Sequence, residues 1–291
     1  MAPPSLATPH ALLQSAEALN DSTELLESGL RNARPTPVVS QTQALRTVFE
    51  RFELKFWVTE PQARRVLDFA LPYLKRDAHA VTRDAQRNTT LYLDTRGFRF
   101  CEDHLNLSPD RVKLRVRAYG RPLGPQAFLE IKRKVKVITM KERVALPMVD
   151  VENVLSRRPV AADISEAARR TLGDFVFQMC LHRAVPKLFV ACHREAFESR
   201  ITGEDVRLTI DRELVYQPAI GFRFTPNERR WLDIREGDDA RTAFGQRRAM
   251  LELKFNGTPP RWMVELVRHF RLQREAFSKY TAAAQQLRGR T

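Results

Sequence analysis

The chain has little of what marks several common routes to function. Its three cysteines, Cys101, Cys180 and Cys192, form no CxxC pair and leave an odd count, so neither a disulfide framework nor a zinc ribbon is indicated and a reducing compartment fits. Glycine is scarce, at 11 of 291 residues, and neither GxxxxGK[ST] nor GxGxxG occurs. A nucleotide would therefore be held by side chains and not by a glycine-rich backbone cradle. No apolar run is long enough to cross a bilayer, so no transmembrane segment is expected. No Lys or Arg precedes Arg31 and no apolar h-region is present, so the N-terminus does not read as a secretory signal and the expected location is cytoplasmic. His10, His79, His104, His182, His193 and His269 are scattered without metal-ligand spacing and read as surface or capping residues.

What is abundant is positive charge. Lys and Arg total 49 against 35 Asp and Glu, a formal net charge of +14 and a pI near 10.2. Such a balance calls for a polyanionic partner: nucleic acid, an acidic membrane surface or a phosphate-rich small molecule. With 43% hydrophobic residues, the chain can build one large domain or two small ones around a sizeable core.

The charge is patterned. Lys113, Arg115, Arg117 and Tyr119 alternate with Val112, Leu114, Val116 and Ala118, and in a strand that alternation puts the basic side chains on one face. The same parity recurs in Glu53 and Lys55, in Glu130, Lys132 and Lys134, in Arg207, Thr209 and Asp211, and in Glu252 and Lys254. Lys141, Arg143 and Arg194 join them. A solvent face usually mixes Thr, Ser, Gln and both signs of charge, whereas here bases recur in strand after strand. If helices cover the apolar faces, the charged faces line a wet, positive interior whose few carboxylates bridge cations or hold a divalent metal.

Along the chain, residues 1 to 45 are rich in Pro, Ser, Ala and Thr and carry Glu17, Asp21, Glu24 and Glu27; they read as a flexible N-terminal tail ahead of one domain over 46 to 291. A strand from Arg51 leads into a helix at Thr59, where Thr59 and Gln62 form a capping-box pattern and Val66, Phe69, Ala70 and Tyr73 make one apolar face. Strands are expected over Thr89 to Asp94, Arg111 to Tyr119, Ala127 to Lys134, Ile138 to Leu146, Lys187 to Ala196, Val206 to Asp211 and Arg248 to Phe255. Arg121 to Gln126, with two prolines and a glycine, reads as a hairpin turn. Helices are expected over Ser165 to His182, interrupted near Gly173, and from Arg261 to Leu287. The three tryptophans read as core, and Cys192 shares the parity of Arg194 without a His and carboxylate beside it to make a nucleophile.

The segments "RFELKFWV", "TTLYLDT", "RVKLRVRAYG", "FLEIKRK", "TMKERVALP", "HREAF", "VRLTIDREL", "LELKF" and "FSKY" resemble, in order, the VTC domain, the polyphosphate-polymerase domain of the vacuolar transporter chaperone complex and a branch of the triphosphate tunnel metalloenzymes. The resemblance spans about residues 48 to 282. It implies an α+β fold: an antiparallel eight-stranded closed tunnel barrel with a charged interior and helices packed outside. It implies phosphate-binding roles for Lys55, Arg115, Arg117, Lys132, Lys141, Arg194, Arg207, Lys254 and Lys279. Of these, Lys55, Arg115, Arg117, Lys132 and Lys279 would act on the transferred group. Glu252 would hold the metal, Mn2+ or Mg2+, and Glu130 would support the lining cations. The hydrolase and cyclase branch opens with ExExK, but here the first acidic position is Arg51, which favours the polymerase-like branch.

The activity expected is phosphotransfer from ATP to a growing polyphosphate chain, with ATP and polyphosphate or triphosphate as partners. A tripolyphosphatase or nucleoside triphosphatase and a non-catalytic polyphosphate sensor are the alternatives. Nucleic acid is not expected, because the bases share strand faces with carboxylates and lack interleaved aromatics.

Overall fold

The structure is a computed structural model that describes residues 51–77, 86–136, 138–160, 163–234 and 248–290. The N-terminal tail expected over residues 1 to 45 lies outside the described residues, as do His10 and His79. Ten strands form one sheet: β1 (Arg51–Thr59), β2 (Leu74–Arg76), β3 (Gln86–Asp94), β4 (Arg111–Tyr119), β5 (Gln126–Val135), β6 (Ile138–Pro147), β7 (Val185–Ser199), β8 (Arg207–Pro218), β9 (Leu232–Asp233) and β10 (Arg248–Asn256). Among the described residues six helices accompany it: α1 (Glu60–Ala70), α2 (Arg99–Leu105), α3 (Met148–Leu155), α4 (Glu166–Leu181), α5 (Arg261–His269) and α6 (Lys279–Arg288).

Every strand pair is antiparallel, in the order β1-β10-β8-β7-β3-β4-β5-β6, with β2 on β7 and β9 on β8. Eight strands thus form the main path, as expected, and among the described residues hydrogen bonds do not close it into a barrel. The end strand β1 spends its free edge differently: its Lys55 carbonyl accepts from the Glu275 amide at 2.8 Å, so chain from outside the sheet covers that edge.

Three apolar clusters hold the domain. On the outer face of β1, β10 and β8, Phe56, Leu208, Leu251 and Leu253 meet Val66 and Ala70 of α1 and Trp262 and Leu266 of α5. On the outer face of β3 to β6, Leu91, Leu114, Leu129 and Val144 meet Val151, Val154 and Leu155 of α3 and Phe175 and Met179 of α4. Each such side chain, fully buried, contributes roughly 1.5–3 kcal/mol. The third cluster corrects the expectation that all helices lie outside. Tyr280, Ala283 and Ala284 of α6 pack on Tyr92, Val190, Cys192 and Met250, which share the parity of the charged residues. One part of the inner face is therefore filled by α6, and the rest stays charged.

Local chemistry explains the boundaries. Thr59 caps α1 by accepting from the Gln62 amide at 3.3 Å, but the reciprocal half of the box is not made: the Gln62 side chain donates to the Phe270 carbonyl, tying α1 to α5. α4 runs through Gly173 without interruption, because that residue sits on the exposed face of a helix capped by Ser165, where glycine costs only about 1 kcal/mol. The single helix expected from Arg261 to Leu287 is two helices. Arg271, at φ 49°, ends α5 in a Schellman motif: Leu272 N–H donates to the Val267 carbonyl and Arg271 N–H to that of Arg268. Ser278 then starts α6 by accepting from the Thr281 amide.

Candidate functional site

The register carries the charged parities into one face. Lys55 pairs with Glu252 and Glu53 with Lys254 across β1 and β10, Lys254 with Arg207 and Met250 with Asp211 across β10 and β8, Arg194 with Asp211 across β7 and β8. On the other side Tyr92 pairs with Arg115 and Thr90 with Arg117, Arg115 with Glu130, Lys113 with Lys132, and Lys132 with Lys141.

Two buried carboxylate hubs organise these cations. At the first, Arg194 grips Asp211 with two hydrogen bonds of 2.6 Å, and Lys279 from the start of α6 reaches Asp211 at 2.7 Å and Glu252 at 2.8 Å. Lys254 holds the second Glu252 oxygen at 2.8 Å, with Arg194 at 3.6 Å, and Lys55 sits 2.9 Å from Glu53. At the second hub Glu130, 1% exposed, takes Arg115 at 2.6 Å, Lys141 at 3.1 Å and Arg143 at 3.7 Å. Arg117 donates to the Thr90 hydroxyl.

The hubs fix protonation. Against the desolvation that burial imposes, Arg115, Arg117 and Lys141 pull the Glu130 carboxyl down to about 2. Asp211 is brought to about 2 by Arg194 and Lys279, and Glu53 to about 2 by Lys254 and Lys55, in each case against burial. Glu252 is held well below the carboxylate range by Lys279, Lys254 and Arg194, again against burial. Reciprocally, Asp211 and Glu252 outweigh burial and raise the Lys279 ammonium. All these groups are charged at neutral pH.

Lys113, named above only as part of a basic strand face, belongs to the site. Its Nζ donates to the Ser278 hydroxyl at 3.2 Å and makes no ion pair among the described residues. Burial, with Lys132, Lys55 and Arg115 as neighbours, pushes it down to about 7. Lys132 is solvent-exposed and has no ion pair within 4 Å among the described residues. Lys55 donates in addition to the Phe277 carbonyl at 2.9 Å, so the turn before α6 is held from both β1 and β4.

Other residues were not legible as site elements. Tyr280 stacks on Tyr92 at 4.7 Å and donates to the buried Asp94, which also accepts from the Phe100 and Cys101 amides at 2.8 and 3.0 Å. That carboxylate fastens α2 and α6 together and so positions Lys279. Arg207 lies at the margin, 3.5 Å from Asp77. Cys192 is on the inner face, but burial and Asp211 push its thiol up to about 12, so it keeps its proton and is no nucleophile. Among the described residues no helix is long and apolar enough to cross a membrane.

The arrangement gathers more cations than its four carboxylates Glu53, Glu130, Asp211 and Glu252 neutralise, and among the described residues leaves Lys113 and Lys132 without an ion pair. Chemically, such an arrangement can hold a compact, highly charged oxyanion.

Comparison with known proteins agrees in family. No curated protein matches the chain. Among solved structures, a protein of Bacillus halodurans described as a candidate adenylate cyclase aligns with a TM-score of 0.43 at 12% identity over 80% of this chain and 96% of its own. One of Vibrio parahaemolyticus, described likewise, aligns at 0.39 and 12% over 80% and 97%. Residues 50–288 match the VTC domain, and with most of its length matched the chain belongs to the VTC domain family.

Proposed function

We propose that the domain makes polyphosphate, transferring the γ-phosphoryl of ATP to orthophosphate or to the end of a phosphate chain. An oxygen of the acceptor attacks the γ-phosphorus, the bond from that phosphorus to the β–γ bridging oxygen breaks, and ADP leaves with the electron pair. Phosphoryl transfer asks a protein mainly for in-line positioning and neutralisation of charge. The observation that carries this reading is the row of cations Lys55, Lys113, Arg115, Arg117, Lys132 and Lys141 on one face, of which Arg115 and Lys141 are held by the buried Glu130. Arg51 in place of the first acid of ExExK favours transfer to phosphate over hydrolysis.

The family implies a divalent ion. Among the described residues no three His, Cys, Asp or Glu converge to cage one. What the face provides is an ionised, hard oxygen donor at Glu252, which suits Mg2+ or Mn2+ taking its other oxygens from phosphates. Glu252 is the residue that would hold the ion. When bound, the ion neutralises phosphate oxygens. Lys279, paired to Glu252 and Asp211, would stand beside it as a phosphate contact.

Incubating the full chain with ATP and Mn2+ or Mg2+ and resolving products on a gel tests the reading. A ladder of polyphosphate supports it. Orthophosphate alone assigns a hydrolase, and tight tripolyphosphate binding with no product assigns a sensor.

A further inference from the structure

A second cationic group lies on the opposite face of the sheet. Arg87 and Thr89 of β3 have the parity opposite to Asn88 and Thr90, so they point away from the hubs described above. Arg87 is 8% exposed, and its buried Nη2 makes no hydrogen bond among the described residues. Its guanidinium lies over the Trp231 ring, 5.0 Å from the centroid. The nearest carboxylate oxygen, on Glu228, is 3.9 Å away, beyond hydrogen-bonding distance. A buried guanidinium with an unused donor costs stability unless something fills the vacancy.

Arg87 also lines a cavity of about 370 Å³, together with Arg121, Leu123, Phe224, Pro226 and Glu228 among others. That volume lies in the range of small-molecule sites. Its walls are fixed. Gly120, at φ +93°, passes so close to the Pro122 carbonyl that a Cβ would come within 2.9 Å of it, and its amide donates to the Arg87 carbonyl. Across the cavity the loop after β8 is pinned by Gln217, 3% exposed, whose side chain bonds both the amide and the carbonyl of Asn227. Phe224 packs edge-on against Phe189 at 5.4 Å.

Glu228 shows what the cations want. It is 46% exposed, 3.3 Å from Arg121 and 3.9 Å from Arg87, so its carboxylate hovers at the mouth between two guanidinium groups without closing on the buried one. An anion in the cavity would stand beside both guanidinium groups, and a small shift of the Glu228 side chain would let it reach the covered Nη2 of Arg87.

We infer that this cavity binds a small organic oxyanion, with its anionic head on Arg87 and Arg121 and a compact apolar body against Leu123, Phe224 and Pro226. The site is separate from the phosphate face on the other side of the sheet. Carboxylates and phosphate monoesters share the required chemistry, and benzoate and phenyl phosphate distinguish them as probes.

The experiment is calorimetric titration of each probe into the full chain. Binding in the millimolar range or tighter is expected. It should survive Arg115→Ala, which lies on the other face, and weaken about tenfold or more in Arg87→Met, which keeps the stem and removes the charged donor. Glu228→Gln removes the competing carboxylate and leaves the cavity walls intact, so it should tighten binding. That variant keeps the proposal testable if Arg87→Met does not fold. Benzoate alone binding assigns a carboxylate ligand, and phenyl phosphate alone assigns a phosphate monoester. The inference is overturned if neither probe binds wild type, if Arg115→Ala abolishes binding, or if Glu228→Gln weakens it.

Discussion

Lys279 stands 2.8 Å from Glu252, joining the first turn of the last helix to the middle of β10 inside the charged face. The same ammonium reaches Asp211 at 2.7 Å, so Lys279 does not depend on a single carboxylate.

That redundancy makes Glu252→Gln informative. The amide keeps the volume, and Asp211 still holds Lys279, so the variant is expected to fold. Relieved of one negative charge, the face should bind tripolyphosphate in chelator at least as well as wild type. Metal-dependent turnover should fall by about two orders of magnitude or more, roughly 3 kcal/mol of transition-state stabilisation. Normal turnover in this variant would remove Glu252 from the mechanism.

Arg115→Ala should behave differently. It deletes a cation of the charged face that also makes the 2.6 Å contact to Glu130. Tripolyphosphate affinity is expected to drop about tenfold or more with or without metal, in line with the roughly 1.5–3 kcal/mol of a charged hydrogen bond. Calorimetry in Mn2+ and in chelator checks it, and a loss confined to one condition speaks against a direct phosphate contact.

Lys113 sets a pH dependence. Its folded value of about 7 lies below the ordinary 10.5, so between these limits the unfolded chain holds the proton more tightly and stability should rise with pH. A bound polyanion favours the charged ammonium, so binding should take up a proton, and affinity should decline as pH rises above about 7. Titration in buffers of different ionisation enthalpy measures the uptake. Lys113→Met should flatten the profile; an unchanged profile would falsify the assignment.

Acid should act in the opposite sense. Glu53, Glu130 and Asp211 are depressed to about 2, against ordinary values of 4.5, 4.5 and 3.8. Their stabilisation is present above about pH 4.5 and is lost as pH falls toward 2. Denaturation midpoints across that window should fall steeply, and Glu130→Gln should make the fall shallower.

Tripolyphosphate should raise the melting temperature. At roughly a hundredfold excess over Kd the gain is about 2.7 kcal/mol, or about 5–10 °C for a domain of this size. Added salt should reduce the shift by less than it would at an open surface, because Glu130, Asp211 and Glu252 lie buried beneath the cations. No shift at millimolar ligand would count against a phosphate-binding face.

The lining strands were legible because period-two alternation is a local property: "RVKLRVRAY" states its own faces, and β4 adopts them. The lining cations followed from that parity and from family resemblance together. Long-range packing was not legible. Nothing in residues 270–278 carries the glycine or proline that usually ends a helix, and Arg271 takes the left-handed position itself. Ser278 was the visible signal for a new helix start. Asp211 was read as one more charge on a strand; its weight comes from Lys279, 68 positions away, which only the fold supplies. Arg87 gave no signal at all, since an arginine at an outward position is ordinary until a distant loop covers it.

The placement of α6 on the inner face has an evolutionary consequence. Tyr280, Ala283 and Ala284 are core, and Lys279 is site, within six consecutive residues. Loss of α6 cannot be tolerated piecemeal, because the helix that fills the hollow also delivers the ammonium. A lineage shedding the chemistry would have to alter Lys279 alone and keep its neighbours, so a relative with an intact "SxYT" but another residue at that position would retain the fold and mark a change of activity.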